Sequence, residues 1–202
     1  MNPSPSSGQA PVGYLHNTAK GLVGEPGLGY NYILARNGLF IRAENDHLVA
    51  TVPIFKLEEL RPVRGLAPME KRVTLKHGPI PVEMWERAYN TLMEDPSSEC
   101  YMAIVWVHDR YELTRPQQDA TAASVKYERP RNVVVDIHSH GAIKAFFSTT
   151  DDQDDQGLKI SIVVGNLDKG PWYPDHIASR VCVYGYYAPV HAGPPWRSAE
   201  DV

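Results

Sequence analysis

The sequence predicts an α/β (α+β) fold dominated by strands, with a few helices packed on them and an antiparallel β meander at the N-terminal side. Three observations predict it. Short β-prone runs separated by turn compositions occupy the first third, a single stretch of helical spacing follows Pro81, and several nearly continuous β-branched runs come after that.

In chain order, residues 1–13 are rich in Pro, Ser and Gly and read as a disordered tail. Residues 14–75 form an N-terminal β-rich accessory region, in which 30–35, 39–43 and 47–52 are strands punctuated by the turn compositions ARNG and AEND. The stretch 56–80 mixes charge, Pro and short apolar runs and reads as irregular structure with one further strand.

Met84, Trp85, Ala88, Tyr89 and Leu92 recur at helical spacing after Pro81, so a helix is expected over about residues 82–94. Strands are expected at 100–107, 111–114, 124–127, 132–138, 158–164 and 180–187, the last three apolar enough to be buried. Residues 76–187 thus make the main domain, and 188–202 a Pro-rich C-terminal tail.

Composition narrows the function classes. At 43% hydrophobic and 22% charged residues, the chain is an ordinary globular one. A net charge of -4 disfavours nucleic acid as a partner, because phosphate-backbone binding needs a surplus of Lys and Arg. Cys100 and Cys182 are far apart and make neither a disulfide framework nor a CxxC zinc pair, which suits a reducing compartment. The N-terminal stretch has no basic start followed by an apolar run, and no segment is long and apolar enough to span a membrane. A cytoplasmic location is the expectation.

The sharpest chemical signal is the segment from His138 to Asp151. Residues i and i+2 of an extended chain point to one side, so His138 and His140 at the end of a buried strand direct imidazoles at one point. If residues 141–147 loop back and Ser148 starts a helix, Asp151 in its first turn faces the histidines as a third ligand. Three protein ligands with an open fourth position are the pattern of catalytic zinc, whereas structural zinc is closed by four. One zinc ion per chain is expected.

The segment His138-x-His140-x7-Ser148-x2-Asp151 resembles the HxHx7SxxD signature of the JAB/JAMM (MPN+) metallopeptidases at every defined position. That resemblance implies a JAB/MPN domain, a mixed sheet flanked by helices with layering like that of cytidine deaminases. It also implies hydrolysis of a peptide or isopeptide bond by zinc-activated water. Members carry a glutamate at a helix-to-strand junction, and Glu99, ahead of Cys100, occupies that place as the general base. The family role of Ser148 is a hydrogen bond to the tetrahedral intermediate.

Two departures concern the substrate: the usual HSHP is HSHG here, with Gly141 expected to loosen the loop, and the usual glycine after the glutamate's cysteine is Tyr101. The short intervals between motifs resemble compact prokaryotic members, which accompany E1/ThiF-like proteins and ubiquitin-like or sulfur-carrier proteins. The meander is similar to that of protein A of the PRTRC (ParB-related, ThiF-related) cassette. The rival reading is a non-catalytic MPN-type scaffold in a plasmid or mobile-element cassette, although such scaffolds usually lack one or more ligands.

The remaining candidates have more ordinary readings. Asp136 reads as a satisfied polar residue, the acidic run Asp152, Asp154 and Asp155 as a solvated helix start, and Trp106, Tyr184, Tyr186 and Tyr187 as core or edge positions.

Overall fold

The computed structural model describes residues 9–58, 61–120, 125–128, 130–169 and 176–191. Most of both expected tails, and Ser124 of one expected strand, lie outside the described residues.

The N-terminal region forms a six-stranded sheet from β1 (Val12–Thr18), β2 (Gly21–Glu25), β3 (Tyr30–Ala35), β4 (Gly38–Glu44), β5 (Leu48–Lys56) and β6 (Arg72–Leu75). Its order is β2-β1-β3-β4-β5-β6. The expected meander is β3 to β5, paired antiparallel, and β6 is the further strand expected within residues 56–80. Sequence reading missed β1 and β2. Since β1 runs parallel to β3, the sheet is mixed rather than antiparallel. β2 is fully exposed and the other face of β1 largely so, which leaves little of the buried-strand pattern by which such elements are recognised.

Helix α1 (Val82–Met93) buries Trp85, Ala88 and Leu92, the stripe expected from its spacing. Strands β7 (Tyr101–Val107), β8 (Arg110–Thr114), a hairpin of β9 (Gln118–Ala120) and β10 (Val125–Tyr127), and β11 (Val133–Ser139) follow. Helix α2 (Thr149–Asp154) and strands β12 (Leu158–Val164), β13 (Ile177–Val183) and β14 (Tyr186–Pro189) complete the chain. The second six-stranded sheet has the order β14-β13-β12-β11-β7-β8.

The run read as one strand over 180–187 is a hairpin. Tyr184 and Gly185 form a two-residue turn with φ of 49° and 84°, and β13 pairs antiparallel with β14 across it. The apolar residues around Gly185 masked the turn.

One core joins the two sheets. Ile41, Leu48 and Val52 of the first meet Met102, Val135, Ile160 and Val181 of the second, together with Trp85 and Leu92 of α1. The hydroxyls of Tyr32 and Tyr186 lie 3.3 Å apart across this junction. Alternation along the second sheet sends Asp136, His138, Lys159, Ser161 and Arg180 to the opposite face, which α2 covers. Among the described residues the architecture is mixed α+β, mostly strand.

Candidate metal centre

Within the second sheet, β11 and β12 are parallel while their other neighbours are antiparallel. A parallel pair needs a crossover, and residues 140–157, containing α2, provide it. The site lies at the C-terminal end of β11, where this crossover leaves the sheet. His138 is the penultimate residue of β11, and the His140 amide donates to the Val164 carbonyl at 2.8 Å, continuing the alignment with β12 by one residue. Strand parity therefore brings both imidazoles to one side.

The return loop is tied to the segment after β12. Asn166 N donates to Ile143 O at 2.8 Å and Leu167 N to Gly141 O at 2.9 Å. Gly165 lies against this loop so closely that a Cβ there would meet Ile143 O at 2.2 Å. Gly141 has φ +56°, a backbone that proline cannot adopt, so this HSHG loop takes a path closed to the usual HSHP. These hydrogen bonds tie the loop to the segment after β12.

Ser148 then caps α2 through a reciprocal capping box. The Asp151 amide donates to Ser148 Oγ at 3.2 Å, and the Ser148 amide donates to Asp151 Oδ2 at 2.6 Å. The Ser148 hydroxyl also donates to Asp151 Oδ2, at 2.7 Å. In this structure the serine thus holds the carboxylate in place.

His138, His140 and Asp151 converge, with one ligand atom from each lying within 4.8 Å of the others. The two Nε2 atoms are 3.3 Å apart, and Asp151 Oδ1 is 3.1 Å from His138 Nε2. Asp151 Oδ2 is 4.0 Å from His140 Nε2. Two ligands each about 2.0–2.1 Å from a tetrahedral zinc would stand about 3.3 Å apart. The donor set fits such an ion, with both His138 separations near that value and the His140–Asp151 separation wider.

Electrostatics agree with that chemistry. Burial pushes the Asp151 carboxyl up, but His138 and the two Ser148 hydrogen bonds outweigh it and hold the group well below the usual carboxylate range. Burial, then the neighbouring His138, lower the His140 pKa, which keeps its imidazole neutral and able to ligate. His140 is also hydrogen-bonded to the Lys144 backbone, the kind of contact that orients a ligating imidazole.

Glu99 lies just ahead of β7, the neighbour of β11. Burial raises its carboxyl, while His138 pulls it down and Asp151 pushes it further up, so its charge is felt at the ligands. Cys100 N donates to Ser139 Oγ at 3.0 Å and Ser139 N to Cys100 O at 2.9 Å, tying the glutamate's segment to the end of β11.

Tyr101, pairing in register with His138, is buried and donates to the Asp136 carboxylate. Asp136 is thereby a satisfied polar residue, as expected, and it also pairs with Lys159. The acidic run behaves differently from expectation. Asp154 is exposed, but Asp155 is buried and Asp152 is paired with Arg180. Sequence reasoning misses their partners Lys159 and Arg180, although a charge inside an apolar strand such as LKISIVV is a signal of a buried ion pair.

Among the described residues no helix is long and apolar enough to cross a membrane. A family model described as prokaryotic homologs of the JAB domain matches residues 73–179, just over half of the chain. No curated protein matches the chain.

Proposed function

Because the chain belongs to the prokaryotic JAB-domain family, we propose that it is a zinc-dependent hydrolase of peptide or isopeptide bonds. The observation that carries this reading is the convergence of two imidazoles and one carboxylate, within 4.8 Å, beside the half-buried Glu99. A purely scaffolding domain has no need to hold these groups together.

His138, His140 and Asp151 would hold the ion, leaving a fourth position for water or substrate. When bound, zinc supplies Lewis acidity, lowering the pKa of water and polarising the carbonyl under attack. Glu99 takes the proton of the attacking water and delivers it to the leaving amine. Its burial-raised carboxyl suits that exchange, since a base nearer neutrality both accepts and returns a proton. Ser148 fixes the Asp151 carboxylate. Donation from the same hydroxyl to an oxyanion would require that hydrogen bond to be exchanged during turnover.

Resemblance to the compact prokaryotic members supports the C-terminal tail of a ubiquitin-like or sulfur-carrier protein as substrate, with an E1/ThiF-like protein as partner. The test is metal analysis of zinc-supplied protein together with cleavage of fusions bearing such tails. About one zinc per chain is expected, lost in His138→Ala and Asp151→Ala. A zinc-free wild type would refute the metal centre; a zinc-loaded protein inert on every peptide and isopeptide would favour the scaffold.

A further inference from the structure

Helix α2 has six residues and none of them is buried, so neither length nor an apolar face keeps it in place. Isolated helices this short are unstable in water, and in proteins it is usually packing that stabilises them. Yet Asp151 has to meet His138 and His140 to within a few tenths of an ångström, because metal ligands tolerate little displacement. Something other than a hydrophobic contact must anchor the helix.

Arg180 of β13 is placed to do so. Its Nη1 pairs with Asp152 Oδ1 at 2.5 Å, and its Nη2 and Nε reach Asp155 Oδ2 at 2.7 and 3.0 Å. The guanidinium lies 3.8 Å from the ring centre of Phe147 and 3.9 Å from that of Tyr187. Phe147 precedes the cap Ser148, and the Tyr187 hydroxyl donates to Asp152 O at 2.8 Å. One side chain therefore grips the chain immediately before α2, the residue after Asp151, and the C-cap of the helix. Lys159 adds a second tie, 2.8 Å from Asp155 Oδ1 and also paired with Asp136, two residues before His138 on the same strand.

We infer that Arg180 is a positioning residue that fixes the Asp151-bearing helix against the sheet whose β11 carries His138, with Lys159 linking α2 to β11. The planar, stacked, forked guanidinium engages these partners together, which a flexible ammonium does only in part. The positioning stands on geometry alone, while its consequence for metal binding rests on the zinc reading proposed above.

The experiment compares wild type with Arg180→Met, Arg180→Lys and the milder Asp152→Asn, whose side chain is partly exposed and whose folding is less at risk. In metal-free protein, amide hydrogen exchange at Asp152 and Asp155 should rise about tenfold in Arg180→Met while Ile162 and Val181 stay protected. Zinc affinity of the folded protein, by chelator competition, should fall about 10–100-fold, with Arg180→Lys recovering part and Asp152→Asn losing less. A general structural role would lower melting without either selective change. If Arg180→Met fails to fold, the same local exchange in Asp152→Asn decides. Unchanged exchange at α2 in the folded variants overturns the inference. If wild type takes up no zinc, the metal reading fails and exchange alone decides the positioning.

Discussion

Replacing Gly165 with alanine should damage the proposed metal centre from a residue outside the proposed ligand set. A Cβ at that position would stand 2.2 Å from Ile143 O, 2.4 Å from Ala145 N and 2.6 Å from Lys144 C, all main-chain atoms that no side-chain rotation can move aside. Relief to ordinary contact requires the loop to shift by about 1 Å. The same loop begins at His140 and ends at Ser148, so the shift is passed to the ligands. A site tolerates about 0.5 Å.

Overpacking of this kind costs about 1–3 kcal/mol, which for a domain of this size lowers the melting midpoint by about 2–12 °C. Zinc affinity should fall about 10–100-fold, as when groups that orient a ligand are lost. The assay is chelator competition on folded Gly165→Ala and wild type, paired with metal-free thermal melts. Equal zinc affinities in the two folded proteins would refute the proposed connection between this loop and the ligand geometry.

Glu99→Gln should retain zinc while hydrolysis of any substrate cleaved by wild type falls about 10²–10⁴-fold; undiminished turnover would remove Glu99 as the base. Leu92→Ala should cost about 2–5 kcal/mol in urea unfolding, because Leu92 is 1% exposed within the core shared by α1 and both sheets. Asp155 supplies a pH test. Burial raises its carboxyl, but Lys159, Arg180 and Ser161 outweigh that and lower it. A lowered acid stabilises fully above its unfolded value of about 3.9, and that contribution is lost as pH falls through the folded value. Urea midpoints of wild type should therefore drop on acidification below about pH 4, and those of Asp155→Asn should drop less over the same window.

The parts of the fold legible in sequence share one property, a periodic burial that local spacing records. Helix α1 matches expectation to within one residue at its C-terminal end because Trp85, Ala88 and Leu92 all face the core. Strands β11 and β12 were legible because nearly all their residues are buried. Strands β1 and β2 were not, because their stability comes from pairing with a neighbour rather than from a strong apolar stripe. The β13–β14 hairpin was read as one strand because Tyr184 takes a positive φ that tyrosine rarely adopts.

For the site, sequence alone determined which residues have the chemistry and that their spacing suits a metal. His138 and His140 share a strand face by parity, and Ser148 and Asp151 share a helical turn by capping geometry, both of which are local. Only the tertiary structure decided that the two pairs meet, and what holds them. That depends on β11 and β12 running parallel, on Gly165 admitting the loop main chain, and on Arg180 reaching α2 from a distant strand. These are contacts between segments remote in sequence, and no local pattern records them, because their energies arise only when the sheet has brought the partners together.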